Sequence, residues 1–341
     1  MSKMSHTTLA GDMVRHYLSK FDGIQSRTLA RLLRKEHPNL FASVDNARTI
    51  IRYNRGRMGS IARGKMAADT SQFKLPAPTD DNPHSLPESD MVPWVPFPIA
   101  SKYDRILVLA DAHVPYHNMD ALNAAIEFGK QYRPNCVLLV GDMWDCYALS
   151  RWEKDPEVRD FKNERVKMRH FLMALREAFP AARIVYKQGN HEERFDKYLI
   201  SHAPDFVGME IATVPGMLDL GRIDVEWVAD KRYITVGALN ILHGHEWGRN
   251  TGTAVNPARS AFLRLKECSL TAHNHQTSNH SEPTLRGKLI ACSSLGCLSE
   301  LHPQYMPINK WNHGFATIDQ YNEDDFDLRN YKIVKGKVVN T

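Results

Sequence analysis

Residues 105–145 read RILVLADAHVPYHNMDALNAAIEFGKQYRPNCVLLVGDMWD. An apolar run at 105–110 ends on Asp111 and His113. A stretch with Leu122, Ala125, Ile126 and Gly129 at helical spacing follows over 118–132. A second apolar run, 136–140, ends on Gly141, Asp142 and, three residues later, Asp145. Short unbroken apolar runs predict buried strands, and the spacing between them predicts a helix.

Working outward, the pattern continues. The sequence predicts a helix over 164–179, a strand over 183–187 and a helix over 192–202. It then predicts a hairpin of 233–236 and 239–242 about Gly237, a helix over 257–267 and a short strand at 269–272. A β-rich end follows at 289–293, 315–318 and 332–339, with a turn at Gly336. Helices between the early strands, then hairpins, predict an α/β domain over 103–341. Its layout is α+β-like with four layers: two mixed β-sheets packed face to face and flanked by helices.

Before this domain the chain changes character twice. Seven prolines fall within 66–102 (Pro76, Pro78, Pro83, Pro87, Pro93, Pro96 and Pro98), which predicts an extended linker whose end is pinned by Trp94 and Phe97. Residues 1–65 predict a small three-helix, helix-turn-helix-like domain. Ser26 and Ser43 are the expected N-caps of its second and third helices, and Pro38 and Gly56 the expected stops. The net charge of +5 is unevenly spread: residues 1–65 carry 13 Lys+Arg against 4 Asp+Glu, a balance of +9, and the rest carries −4. Arg27, Arg31 and Arg34 form one helical stripe, and Arg48, Arg52 and Arg55 another. Such stripes fit a phosphate backbone, so these six are candidate nucleic-acid contacts. A protein-docking or oligomerisation face, or a solvated helix surface, would carry the same pattern.

The composition narrows the class. With 43% hydrophobic and 24% charged residues over 341 positions, the chain is not wholly disordered. No run approaches the ~18 apolar residues of a membrane span, so no membrane association is expected. The first residues, MSKMSHTTLAGDM, lack an apolar secretory core, which predicts a cytoplasmic protein. Five cysteines (Cys136, Cys146, Cys268, Cys292 and Cys297) without framework spacing predict reduced thiols, and the lack of a CxxC pair excludes a cysteine-built zinc finger.

The chemistry sits after the strands. Asp111 and His113 follow the first, Asp142 and Asp145 the second, and Asn190, His191 and Glu192 the third. His243 and His245 follow the run 239–242, and His273 and His275 follow 269–272. In layered α/β folds ligands bind beyond the carboxyl ends of strands, so these side chains are expected to converge. Asp, Asn and His offer oxygen and nitrogen ligands without thiolate, a set that suits Mn²⁺, Fe or Zn²⁺. Two cations ~3.5–4 Å apart need a bridging ligand. Asp142 is the natural bridge, with Asp111, His113 and His275 completing one ion's shell and Asn190, His243 and His273 the other's.

In this order the motifs resemble the signature of the calcineurin-like metallophosphoesterases, namely DxH, GDxxD, GNH(E/D), H and GHxH, over about residues 103–320. The stretches DAHVPYH and GCLSELHPQYMPINKWNHGF also resemble a branch frequent in bacteriophage and bacterial genomes. A phage-encoded member would act in the host cytoplasm. The resemblance implies two divalent ions (Mn²⁺ first, with Fe, Zn²⁺ or Ni²⁺ as alternatives) and the ligand partition above. It also implies that His243, and not His245, is the ligand in His243-Gly244-His245. The family usually has Gly where this chain has Ala272, and a positive φ there would strain alanine.

The expected reaction is hydrolysis of a phosphate ester by a metal-bridging hydroxide. His191, next to Asn190, is the expected proton donor to the leaving oxygen. The family pattern pairs Asp145 with that histidine. Arg194, His245, Arg151 and Arg249 are candidate substrate contacts near the motif loops. The sequence reads first as a phosphodiesterase or nuclease acting on nucleic acid or nucleotides. Alternatives are a phosphomonoesterase on protein or small molecules, and a non-catalytic metal-dependent nucleic-acid-binding module. Oligomeric state is left open.

Overall fold

A computed structural model of the chain describes residues 6–21, 23–57, 77–248 and 255–340. The chain divides into two units, Met1–Val92 and Pro93–Thr341. Residues 66–76 of the expected linker and Arg249 lie outside the described residues.

The first unit contains three helices, α1 (His6–Lys20), α2 (Ser26–Glu36) and α3 (Val44–Asn54). Ala10, Val14, Leu29, Leu33, Phe41, Ala47 and Ile51 are buried together as its core. Ser43 caps α3 as expected, accepting from the Asn46 amide at 3.0 Å. Ser26 does not cap α2. Gln25 occupies the cap position without a side-chain bond, and Ser26 Oγ accepts from Arg55 at 2.8 Å. Helix α2 stops before His37, since the residue preceding Pro38 is disfavoured in helical geometry. The two arginine stripes are not uniform. Arg34 donates to the carbonyls of Pro38 and Phe41, and Arg55 to Ser26 and the Ile24 carbonyl, so both tie the unit together. Arg27, Arg31, Arg48 and Arg52 stay exposed.

The second unit has thirteen strands among the described residues. One sheet has seven strands in the order β13-β12-β11-β2-β3-β4-β5. These are Arg105–Leu109 (β2), Cys136–Val140 (β3), Arg183–Lys187 (β4), Val225–Val228 (β5), His313–Gln320 (β11), Phe326–Val334 (β12) and Lys337–Asn340 (β13). Strands β2 to β5 run parallel, and β11 pairs antiparallel with β2. The other sheet has six strands in the order β1-β6-β7-β8-β10-β9. These are Phe97–Ile99 (β1), Ile234–Val236 (β6), Leu239–Leu242 (β7), Ser269–Thr271 (β8), Ser278–Pro283 (β9) and Leu289–Ser294 (β10).

Alternation along each apolar run assigns its two faces. Ile106, Val108, Leu138 and Val140 face the other sheet and join Ile234, Ile241 and Leu270 in the core between them. Leu107, Leu109, Val137 and Leu139 face outward and are covered by Ala125 of helix Met119–Tyr132 and by Leu172 and Leu175 of helix Phe161–Ala178. Helix Pro257–Leu265 covers Ile290 and Cys292 on the six-stranded sheet. These are the two face-to-face mixed sheets with flanking helices that the strand pattern predicts.

Three strands were not anticipated: β1, β5 and β9. Each is the edge of its sheet. Edge strands are short and need not be apolar, so β9 (SNHSEP) carries little strand signal. Strand β1 lies inside the expected linker, pairing parallel with β6 and carrying Pro98, which an edge tolerates. The folded unit therefore starts before residue 103. Trp94 anchors its approach, donating to the Asp230 carbonyl at 3.1 Å. All five cysteines are buried, and none is paired in a disulfide. No helix among the described residues is long and apolar enough to cross a membrane.

Leu138 is fully buried between the sheets. Leu138→Ala is expected to lower the unfolding free energy of this unit by ~2–5 kcal/mol, read from the shift in urea denaturation midpoint at constant slope.

Candidate metal centre

Five strand ends deliver the candidate ligands. Asp111 and His113 follow β2, Asp142 follows β3, Asn190 follows β4, His243 follows β7, and His273 and His275 follow β8. The loops are tight. Asp111, His113, Asp142, His273 and His275 all have positive φ, between 50° and 68°. Such backbone is costly for residues other than glycine, and it clusters where a site over-determines it. Ala272 is not among these residues. The left-handed turn falls on His273, so alanine at 272 brings no strain of that kind. Two glycines are required by contact. A Cβ on Gly141 would meet the Gly189 Cα at 2.8 Å, and one on Gly189 would strike the backbone amide of Asp142.

The side chains meet in three overlapping groups: Asp111, His113 and His275; His113, Asp142 and His191; and Asp142, His243 and His273. His275 Nε2 lies 3.2 Å from Asp111 Oδ1 and 3.1 Å from His113 Nε2. His243 Nε2 lies 3.2 Å from Asp142 Oδ2 and 3.2 Å from Asn190 Oδ1. Ligand atoms sharing one ion at ~2.1 Å sit ~3.0–3.4 Å apart, so these spacings suit a common cation. Asp142 shares one group with His113 and another with His243 and His273, which places it between the two candidate ligand sets. Asp111 Oδ1 is fully buried, and its 3.2 Å approach to His275 lies outside hydrogen-bond geometry, so it has no donor. A cation would satisfy it.

The ring tautomers agree with ligation. Burial pushes the Asp145 carboxyl up, but the adjacent His191 and His113 rings outweigh this and hold it well below the usual carboxylate range. Asp145 is therefore an acceptor, and His113 Nδ1 donates to it at 2.8 Å, leaving Nε2 as a lone pair facing the site. His243 Nδ1 donates to the Val140 carbonyl at 2.7 Å and aims Nε2 the same way. Burial lowers His273 to about 4, which leaves it neutral. Burial works against protonation of His243 and His275 as well, but Asp142 and Asp111 outweigh it and raise each to about 10. Without an ion, the carboxylates draw protons onto these rings. A dication would supply the same positive charge.

Among the remaining candidates, His191 lies against the centre, its ring centroid 4.3 Å from that of His113. Its Nδ1 is 3.0 Å from Asp145 Oδ1, the pairing the motif implied, and Asp145 also orients His113, which was not anticipated. Burial opposes protonation of His191, but Asp142 and Asp145 raise its pKa above the usual imidazole value. Arg194 donates to His191 Nε2 at 2.9 Å and to the Asp145 carbonyl at 2.9 Å. His245 bonds Glu193 Oε1 at 2.9 Å. Arg151, Arg194 and His245 line one cleft of about 640 Å³ that also touches Asn190 and His273.

Two supports escaped the sequence reading. Glu192 accepts from the amides of Asp142, Trp144 and Gly189 at 2.8–3.0 Å and from the Tyr186 hydroxyl at 2.6 Å, tying the loops after β3 and β4 together. Lys187, fully buried, pairs with Glu246 at 2.7 Å. Glu246 in turn accepts from the amides of His243 (2.9 Å) and Gly244 (2.6 Å). A charged residue ending an apolar strand was the available signal for Lys187.

No protein-family model matches the chain. It is 28% identical over 228 residues to the Gene 54 protein of Mycobacterium phage L5, covering 63% of this chain and 88% of that one. Similar solved structures include a dimetal phosphatase from Danio rerio, with 13% identity, coverage of 70% of this chain and 98% of that one, and a TM-score of 0.33. Another is Yfce, a phosphoesterase from E. coli, with 12% identity, coverage of 69% and 96%, and a TM-score of 0.34.

Because His243 and His275 keep their protons up to about 10 in the ion-free chain, ion binding must displace them. Apparent affinity for Mn²⁺ is therefore expected to rise with pH between about 6 and 9, with proton release. Titration calorimetry in buffers of different ionisation heat measures that release; a pH-independent affinity without it would contradict the geometry.

Proposed function

We propose that this chain is a hydrolase of the calcineurin-like metallophosphoesterase kind, a dinuclear enzyme that cleaves phosphodiester bonds in nucleic acid or nucleotides. One observation carries the reading: oxygen and nitrogen side chains from five strand ends gather in overlapping groups, with Asp142 between His113 and the pair His243 and His273. The names of the phosphatase and phosphoesterase of similar structure accord with it.

Asp111, His113 and His275 would hold one divalent cation and Asn190, His243 and His273 the other, with Asp142 between them. In this reading the metal is Mn²⁺, with Fe, Zn²⁺ and Ni²⁺ as the alternatives. When bound, such a pair supplies an activated water and offsets charge on the phosphoryl oxygens.

The chain's own residues do the rest. Asp145 fixes His191 by its Nδ1 and so aims Nε2 toward the centre, 3.8 Å from Asp142 Oδ2. Once a phosphate draws the Arg194 guanidinium off Nε2, His191 takes up a proton there and passes it to the departing oxygen, helped by the raised pKa that the two carboxylates impose. Arg194 keeps a guanidinium on the cleft wall beside His191, where a non-bridging phosphate oxygen would lie. The exposed Arg27, Arg31, Arg48 and Arg52 of the first unit bind the phosphate backbone and raise the local concentration of substrate.

Two tests follow from these roles. His191→Ala should lower kcat on bis-p-nitrophenyl phosphate by ~10²–10⁴ with metal content kept, whereas Asp142→Ala should lose bound metal. Faster turnover of p-nitrophenyl phosphate than of the diester would favour a monoesterase, and no turnover of either by metal-replete protein would remove the enzyme reading. In the full chain, reversing Arg27, Arg31, Arg48 and Arg52 to Glu should weaken DNA binding and flatten its log–log salt dependence by roughly 3–4. An unchanged slope would remove nucleic acid as the partner of this unit.

A further inference from the structure

The cleft beside the candidate metal centre does not end at the candidate ligands. Its wall residues Leu149, Ser150, Arg151 and Lys197 also line a second hollow of about 600 Å³, so the two adjoin along that wall as the two parts of one groove surface. Six cations border it: Arg151, Lys154, Arg159, Arg194, Lys197 and Lys231. The one carboxylate on its lining, Glu193, is already shared among Lys197, Lys231 and His245. Glu153, Asp155 and Glu157 belong to the same segment as Arg151 but line neither hollow. Among the described residues, Arg151 and Arg159 have no carboxylate partner.

The groove wall is built rather than loose. The amides of Tyr147 and Ala148 donate to the buried carboxylate of Glu164 at 2.9 and 3.0 Å. The Asp155 amide donates to the Tyr147 hydroxyl at 2.8 Å, and Lys154 donates to the Ser150 carbonyl. On this held segment Trp152 lines the cleft while 66% exposed, with the Arg151 guanidinium 4.6 Å from its ring centroid. Apart from this contact with Arg151, most of the indole surface is left to water beside a row of cations.

We propose that this groove holds a single nucleic-acid strand, its phosphates on the cations and an unpaired base stacked on Trp152. The proposal rests on the phosphodiesterase reading for why a strand should enter the centre, but its binding chemistry is separate. Cations recognise the backbone of either strand form, whereas an exposed ring needs an unstacked base, which a duplex withholds. A strand lying along the groove would pass from Arg159 and Arg151 toward Arg194 and Asn190. That path lets the substrate be longer than a nucleotide.

All six tryptophans lie beyond residue 93, so their fluorescence reports on the second unit and not on the basic first unit. The test uses the full chain with EDTA, so that no strand is cut, and titrates an eight-residue thymidine oligonucleotide. Quenching of tryptophan emission is expected, with Trp152→Ala removing most of it and weakening binding ~10-fold. Arg159→Glu should weaken binding ~10-fold and lower the salt slope by ~1. Arg159→Glu should turn over bis-p-nitrophenyl phosphate with Mn²⁺ within about twofold of the parent, since Arg159 lines the second hollow and not the cleft at the metal centre. Absence of quenching, quenching equal in parent and variants, or quenching by duplex as strong as by single strand would overturn the groove. Polyphosphate bound as tightly as the oligonucleotide would overturn it too. Strand binding without hydrolysis of any phosphate ester would leave the groove standing and remove the phosphodiesterase reading. Diester hydrolysis without strand binding would do the reverse.

Discussion

Two carboxylates buried at the same place govern this structure. Asp111 and Asp142 are essentially inaccessible, and among the described residues neither is paired with lysine or arginine. Buried anions without compensation are among the costliest features a fold can carry. Here the compensation comes from imidazoles, which either take up protons or turn lone pairs toward a shared cation. The second choice frees the rings to act as neutral ligands and satisfies the orphaned oxygen of Asp111. The left-handed backbone at five of the candidate ligands belongs to the same constraint. Each strained turn re-aims a side chain from the sheet toward the centre.

Such a centre needs rigid supports, and the chain provides them with further buried charge. Glu192 gathers three amides and a hydroxyl, so the loops after β3 and β4 cannot drift apart. The Lys187–Glu246 pair does the same for the loop that carries His243. A buried ion pair rarely adds net stability over apolar residues of equal size, and losing one partner costs ~3–5 kcal/mol. The pair is better understood as a positioning device. It anchors the end of a strand in one sheet to a loop of the other, so the two sheets keep a common register at the centre.

That register explains how residues far apart in sequence share one ion's worth of space. Strands β2, β3 and β4 run parallel in one sheet, and β7 and β8 run parallel in the other. Stacking the sheets brings these five carboxyl ends to one rim. The apolar faces between them, Ile106, Val108, Leu138 and Val140 against Ile234, Ile241 and Leu270, set the separation. Hydrophobic burial thus fixes a distance that the polar residues then use.

Much of this was legible in the residue order. Apolar runs and helical spacing located the central strands and helices, because a strand buried on both faces must be apolar throughout. The side chains after those runs revealed the ligand types, because strand ends are where such folds place polar chemistry. The edge strands β1, β5 and β9 were not legible, since an edge answers to a neighbour's backbone and not to a core. Nor were the double duty of Asp145, the struts Glu192 and Lys187, or the division of the six arginines into exposed residues and internal ties. Each depends on partners from other elements, and linear order contains no distances between such groups. Sequence alone determined which residues could serve a metal centre and in what order the chain presents them. Only the tertiary structure decided which atoms meet, because the meeting is set by sheet register and by the packing of side chains that carry no chemistry themselves.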